Sequence, residues 1–255
     1  MNNYVTEAIN LKSYNLNDAD KIIVMYSKDN GLIKGVAKGI KKPKSKLGAR
    51  MDLLVANTLQ LLKGRSMDTI IQAQTVNHFK KSRENIDKLT LSTYVSEVVM
   101  NFGEGSESAS QEVYNLLYKA LNKISDSLEK KDMLIAAIKF QLKMLLIMGF
   151  CVEFDTCLCC GERIINEDMY FSIPMGGVIC NECNETLGIR LKMHNKIRDF
   201  MQAMLQFDFD YESEYDKKAN EKVCQVCFNL LDEYIKTHTN KSQKSAKMIR
   251  DAACV

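Results

Sequence analysis

Cys157-Leu158-Cys159-Cys160 and Cys180-Asn181-Glu182-Cys183 are the two stretches whose reading decides the fold of this chain. Cys157 and Cys160 form one C-x2-C pair, Cys180 and Cys183 form a second, and nineteen residues lie between the pairs. Two close pairs at such a separation are the layout of a tetrahedral four-cysteine zinc site. Each tight knuckle delivers two sulfurs, and the chain between the knuckles closes into a short ribbon. Ile173, Pro174, Gly176, Gly177 and Val178 lie in that connection and suit a strand pair with a turn. Cys159 stands inside the first pair, so the register is open; the x2 spacing selects Cys157 with Cys160 and leaves Cys159 as a spectator. Four thiolates close the coordination shell, so the expectation is one structural Zn2+ per chain, held inside a larger architecture.

The other cysteine chemistries fit less well. MNNYVTEAIN at the start has no basic leader followed by an apolar core, and nine cysteines are an odd number, which suits a reducing compartment better than a disulfide framework. Cys224 and Cys227 make a further C-x2-C, but Val223, Cys227, Leu230, Leu231 and Tyr234 share one helical face with Cys224 beside it, the pattern of core packing. Cys151 and Cys254 have no partner in the sequence. No apolar run approaches the ~20 residues that span a bilayer, so a soluble, cytoplasmic protein with no membrane partner is expected.

Net charge is only +3, but it is unevenly spread. Residues 1–80 carry 13 Lys and Arg against 6 Asp and Glu, and the remainder carries 22 against 26. Lys34, Lys38, Lys41, Lys42, Lys44, Lys46 and Arg50 follow one another with no acid between them. A basic block of this density is the electrostatic signature of a surface for a polyanion.

Along the chain, apolar segments recur at Val5–Leu11, Ile22–Tyr26, Leu32–Ile40, Leu53–Leu62 and Ile70–Val76. Asp29-Asn30-Gly31 predicts a hairpin turn in which Asn-Gly takes positive φ angles. Five short strands with a basic loop predict a small OB-fold-like barrel over residues 1–80, a frequent single-strand nucleic-acid binder. The period then becomes helical. Leu91, Val95, Val98, Val99 and Phe102 make one stripe, and Val113, Leu116, Leu117, Leu121 and Ile124 make another. A third helix, about 132–148, is apolar nearly all round and should be the buried centre of a bundle, ended by Gly149. The expected architecture is α+β and multidomain. It comprises the barrel, a helical domain over 81–152 and 188–238 interrupted by a zinc ribbon at 153–187, and a basic polar tail at 239–255. Helices are expected at about 190–206 and 217–238, and the tail from Lys236 is expected to fray.

No catalytic constellation emerges. Gly35-Val36-Ala37-Lys38-Gly39-Ile40-Lys41 has three residues between its glycines, not four, and Lys42 stands where a P-loop needs Ser or Thr. His78, His194 and His238 lie in no metal or nucleophile motif, and no G-x-S-x-G occurs. The expectation is a binding protein and not an enzyme.

The order of these parts resembles the RecO recombination-mediator family, and local text agrees. Glu7-Ala8-Ile9 opens the chain, and Asp18-Ala19-Asp20-Lys21-Ile22 leads into the second strand. Ala37-Lys38-Gly39-Ile40-Lys41-Lys42-Pro43-Lys44-Ser45-Lys46-Leu47-Gly48 is similar to the family's barrel motif, with Gln60-Leu61, Lys63-Gly64-Arg65 and Gln72-Ala73 beyond it. Leu158-Cys159-Cys160-Gly161, Phe171-Ser172 and Gly176-Gly177-Val178-Ile179-Cys180 resemble its zinc segment. The resemblance covers about residues 5–235. It implies a DNA repair mediator of the RecF-type pathway that binds single- and double-stranded DNA and anneals complementary strands. With RecR it would help load recombinase onto SSB-coated DNA. It further implies DNA contacts by Lys38, Lys41, Lys42, Lys44, Lys46 and Arg50, with Lys63 and Arg65 on a nearby turn. The C-terminal tail of SSB would dock on the helical domain, where Lys139, Lys143, Arg190 and Lys192 are the cations considered for its carboxylates. Some family members lack the zinc cysteines, so the metal's role is architectural. Two other classes remain open on the residues alone: a zinc-ribbon subunit that binds RNA or serves transcription, and an enzyme with unrecognised carboxylates.

Overall fold

A long first strand organises the N-terminal part of the computed structural model, which describes residues 2–103, 106–165, 168–189 and 191–251. β1 (Asn3–Asn15) pairs antiparallel with β4 (Ala56–Leu62) along its first half and with β2 (Lys21–Ser27) along its second. A bulge between Asn10 and Lys12 bends it from one partner to the other, as closing a small barrel requires. β2 pairs with β3 (Gly31–Ala37), and β4 pairs with β5 (Asp68–Asn77). The five strands close in the order β1-β2-β3-β5-β4. The seam between β3 and β5 is parallel and rests on Gly35 opposite Asp68 and Val36 opposite Thr69. Alternation sends Ala8, Ile23, Met25, Leu59, Leu61, Ile70 and Ala73 inward to one core.

The hairpin after β2 departs from the expected form. Ser27 pairs with Gly31, so the loop is Lys28-Asp29-Asn30, and Gly31 alone takes a positive φ, 62°. A three-residue loop with glycine at the left-handed position satisfies the same turn signal as an Asn-Gly tight turn, because both need one residue without a Cβ penalty.

The chain groups into two compact units, one ending at Ser125 and the other beginning at Asp126. The first therefore holds the barrel, α1 (Ile86–Phe102) and nearly all of α2 (Ser110–Asp126), dividing the helices expected at 81–152 between the units. Asn85 caps α1 by accepting from the backbone N–H groups of Asp87 and Lys88. Both predicted stripes are buried, Leu91 through Phe102 on α1 and Val113 through Ile124 on α2. Specific bonds tie the helices to the barrel. The Tyr26 hydroxyl meets Ser106 Oγ at 2.9 Å, Asn77 Nδ2 donates to Asn122 Oδ1 at 2.9 Å, and the rings of Phe79 and Tyr118 meet edge to face.

In the second unit α3 (Lys130–Ile147) is the central helix, buried on most of its surface as its composition predicts. Gly149, with φ 81°, reverses the chain behind it, and Phe150 N–H returns to Leu145 O at 2.8 Å. β6 (Asp168–Ser172) pairs with β7 (Gly177–Cys180), followed by α4 (Asn181–Leu187). The next segment corrects the sequence expectation of a helix from about 190. β8 (Lys192–His194) adds a third strand beside β6, and only then does α5 (Asn195–Gln206) begin. His194 Nδ1 accepts from Lys196 N–H at 3.2 Å and so caps α5, which is why the helix starts there. α6 (Glu214–Lys218) and α7 (Glu221–Thr239) follow, and α7 and α5 pack on α3.

The frayed tail expected from Lys236 is likewise corrected. α7 continues to Thr239, Asn240 turns the chain with a φ of 52°, and α8 (Lys244–Asp251) packs back on α7 with Ala246 and Ile249 buried. A short amphipathic helix with only two apolar contacts at i and i+3 looks polar in sequence; its docking is secured by Arg250, which ion-pairs with both Asp232 and Glu233 of α7. Cys254 lies outside the described residues.

Candidate metal centre and nucleic-acid interface

The ribbon brings the sulfurs of Cys157, Cys160, Cys180 and Cys183 to within 4.8 Å of one another. Four thiolates at about 2.3 Å from one tetrahedral ion would have sulfurs about 3.8 Å apart, and the Sγ atoms of Cys160 and Cys180 are 4.0 Å apart. Backbone amides point at these sulfurs: Cys159 N–H and Cys180 N–H each reach Cys157 Sγ at 3.4 Å, and Cys183 N–H reaches Cys180 Sγ at 3.4 Å. Burial pushes the Cys157 thiol up, but the backbone N–H groups of Cys160, Cys180 and Cys159 outweigh it and draw its pKa down to about 6. The Cys183 thiol moves the opposite way, raised first by its hydrogen bond to Cys180 and then by burial. Such pre-aimed amides stabilise thiolates once an ion displaces their protons, so the donor set fits a metal ion. Cys159 is exposed and lies outside this sulfur group.

Cys224 and Cys227 are fully buried in α7, and burial pushes both thiols up to about 12. Protonated and enclosed among apolar side chains, they are core residues.

The basic loop between β3 and β4 is fastened at three places. At its start Asp20 accepts from Gly39 N–H at 2.6 Å, Lys41 N–H donates to Ala19 O at 3.1 Å, and Lys41 Nζ reaches Asn17 O at 2.9 Å. The Gly39 amide, then the Asn17 side chain, hold the Asp20 carboxyl below its ordinary value, with the charges of Lys38 and Lys42 adding to the effect. Along its length Ile40, Leu47 and Met51 join the barrel core. At its end two buried amides grip the 3-10 turn Gly48–Met51: Asn10 Nδ2 donates to Arg50 O at 2.8 Å and Asp52 O at 2.9 Å, and Asn57 Nδ2 donates to Arg50 O at 2.7 Å. Along this stretch Lys38, Lys41, Lys42, Lys44, Lys46 and Arg50 are all exposed. A tethered backbone carrying exposed cations can meet an anion without the entropy cost of ordering a free loop.

The remaining cations fall into separate places. Lys63 and Arg65 are exposed and line a groove of about 360 Å³ with Lys34. Arg50 borders a different hollow, beside Gln72, Gln74 and His78. Of the barrel aromatics, Tyr26 and Phe79 are buried and Tyr4 hydrogen-bonds to Asp68, whereas Tyr14 is exposed with Lys12 over its ring. The loop's anchors were not singled out in the sequence reading. Asn17 to Asp20 is a recognisable Asx-type turn signal, but Asn10 and Asn57 lie 40 and 7 residues from the carbonyl they share, and no local pattern marks them.

The cations considered for an acidic peptide need one correction. Lys139 is buried on α3, where its ammonium pairs with Asp216 at 3.1 Å and donates to the carbonyls of Tyr211 and Asp208 at 3.0 and 3.3 Å. Its charge is committed internally. Lys143 Nζ donates to Leu205 O at 3.0 Å, Lys192 lies on β8, and Arg190 lies outside the described residues.

Comparison with known proteins agrees with these features. The family descriptions "Recombination protein O N terminal" and "Recombination protein O C terminal" match residues 1–79 and 83–247. The chain is similar to the DNA repair protein RecO of Rubrobacter xylanophilus, with 31% identity over 71% of either chain. It is similar to that of Symbiobacterium thermophilum, with 27% identity over 96% of each, and to that of Desulforamulus reducens, with 27% identity over 96% of this chain and 93% of the relative. No helix among the described residues is long and apolar enough to cross a membrane. With both terminal halves matched in order around a closed five-stranded barrel and a four-cysteine cluster, this chain belongs to the RecO family of DNA repair and recombination proteins.

Proposed function

We propose that this chain is a non-enzymatic, cytoplasmic, nucleoid-associated mediator that binds single- and double-stranded DNA and anneals complementary strands. With RecR it helps load recombinase onto SSB-coated DNA. The observation that carries this reading is the tethered loop with six outward cations in a chain of the RecO family. Lys38, Lys41, Lys42, Lys44, Lys46 and Arg50 contact backbone phosphates, and Lys63 and Arg65 extend the cationic surface. Annealing needs no reacting group: lysines neutralise the repulsion between two phosphate backbones, and released counterions supply much of the affinity. Phosphate contacts carry no base information, so sequence preference is weak. The cluster of Cys157, Cys160, Cys180 and Cys183 holds one structural Zn2+, whose part is to fix the ribbon within residues 153–187. The barrel of residues 1–80 is the DNA-binding domain. The helical segments, 81–152 and 188–238, take the SSB tail, with Lys143, Arg190 and Lys192 as the cations still considered for it.

The test is anisotropy with a labelled single strand, together with a strand-annealing assay. If five phosphates are neutralised, the slope of log affinity on log salt is about −3.5, and a fourfold rise in salt weakens binding about 100-fold. Lys41→Glu, Lys42→Glu and Lys44→Glu together should weaken binding to all sequences alike and abolish annealing. An unchanged affinity and salt slope in that triple variant would remove the loop from the DNA site.

A further inference from the structure

A hollow opens between α7 and α8. It measures about 620 Å³ and is lined by Lys236, Gln243, Lys244, Lys247 and Arg250, with Asp232 and Glu233 at its wall. Both acids are already engaged: each pairs with the Arg250 guanidinium, and Glu233 also meets Lys236 at 3.4 Å. Lys244 and Lys247 are exposed on the same helix, with no acid among the described residues paired to them. The four cations therefore exceed the two carboxylates, and the excess sits on α8.

Charge alone would be an ordinary solvated helix face. The buried polar groups are what make it a site. Gln243 is only 4% exposed, yet neither its Nε2 nor its Oε1 has a hydrogen-bond partner among the described residues. Arg250 Nε is buried and also has no partner among the described residues. Gln243 and Arg250, whose buried polar atoms are left unmatched among the described residues, both line this one hollow beside Lys244 and Lys247. Buried donors are left unmade in native proteins at a cost, and such exceptions gather where a ligand supplies the acceptor. The acceptor that suits an amide N–H, a guanidinium N–H and two ammonium groups at once is a multivalent oxyanion. We propose that this hollow binds a phosphate group, presented by a nucleic-acid backbone or by a free phosphate compound. Backbone phosphate is the source consistent with the DNA-binding reading above, on which that part of the inference rests; the phosphate chemistry of the hollow does not depend on it.

The test uses the full chain, its Lys244→Glu/Lys247→Glu variant and its Gln243→Leu variant, with two probes. The first is inorganic phosphate, followed by thermal melting against chloride at matched ionic strength. Phosphate should raise the melting temperature of the parent chain and leave both variants unmoved. Gln243→Leu should melt, without phosphate, at or above the parent temperature, since it removes an unpartnered buried amide; a merely structural glutamine would lower it. The second probe is a labelled single strand. If backbone phosphate is the source, Lys244→Glu/Lys247→Glu should flatten the salt slope by about 1.4, so that its affinity relative to the parent changes about sevenfold over a fourfold change in salt. A response to inorganic phosphate alone would support the site and assign it to a free phosphate compound. Phosphate-independent melting of the parent, together with unaltered strand binding in both variants, would overturn the inference. The triple lysine variant of the barrel loop separates the two ideas. Loss in that variant with none in Lys244→Glu/Lys247→Glu leaves the barrel reading standing and sinks its backbone arm here, and the converse pattern does the reverse.

Discussion

Lys139 and Asp216 illustrate how much of the second unit depends on one buried charge pair. Both are almost fully enclosed, and Asp216 also accepts from Ser213 in a capping box that starts α6. Removing one partner strands the other's charge. Lys139→Met should therefore destabilise this unit by about 3–5 kcal/mol, and adding Asp216→Asn should return part of that loss, both read by urea melts. His238 offers a pH test. Its ring stacks on Phe150 at 4.3 Å and meets Tyr234 edge-on, and burial lowers its pKa below the ordinary 6.5. The unfolded chain then binds the proton more readily than the folded one. Its contribution is fully present above pH 6.5 and is lost as pH falls through the folded value. His238→Phe should flatten the stability profile over that acid range, and an unaltered profile would remove His238 from the acid response. At this scale the four ligand candidates were legible because a metal knuckle needs close spacing in sequence. The role of Lys139 was not, since its partner lies 77 positions away and a lysine on a helix reads as a solvated one.

The β3–β4 loop shows what an element adds to its residues. Its lysines were legible as an acid-free run, whereas Ile40, Leu47 and Met51 were scattered apolar positions among them whose shared destination only the closed barrel supplies. Leu47→Ala removes no charge but empties part of that core, at about 2–4 kcal/mol. Its DNA affinity should fall while Lys and Arg content stays the same; equal affinity at temperatures where the variant is folded would show that the cations act without the tether. Strand existence was readable from alternation, and the two long stripes of α1 and α2 from their period. β8 and α8 escaped because three residues and eight residues give too short a pattern, and each is held by a partner outside itself, β6 for one and the preceding helix α7 for the other.

For the whole molecule, two compact units imply two separable losses. If the proposed zinc is bound, stripping it with a strong chelator should unfold the ribbon and reduce solubility, because structural zinc contributes about 10–16 kcal/mol to small modules near neutral pH. Strand binding by the barrel should survive within about twofold on the counterion argument, since its phosphates are neutralised elsewhere. Metal analysis beside anisotropy checks this, and a joint collapse of both would show the units to be coupled. The succession of barrel, helices and four-cysteine ribbon was legible because it lies in composition and spacing, while the break at Ser125, which no sequence pattern marks, reflects which helices the barrel recruits. The narrow seam of the barrel has a consequence in time. Pairings of β1 with β2, β2 with β3 and β4 with β5 join neighbours along the chain, and β1 meets β4 across 47 to 59 residues along seven positions, but β3 meets β5 across 33 residues through two positions only. Distant, sparsely rewarded contacts form late. Ile40, Leu47 and Met51 have no interior to enter until that ring is shut. In refolding, affinity for DNA should therefore lag behind the recovery of strand signal, so that a half-made barrel passes its most vulnerable moments without a surface for the polyanion around it.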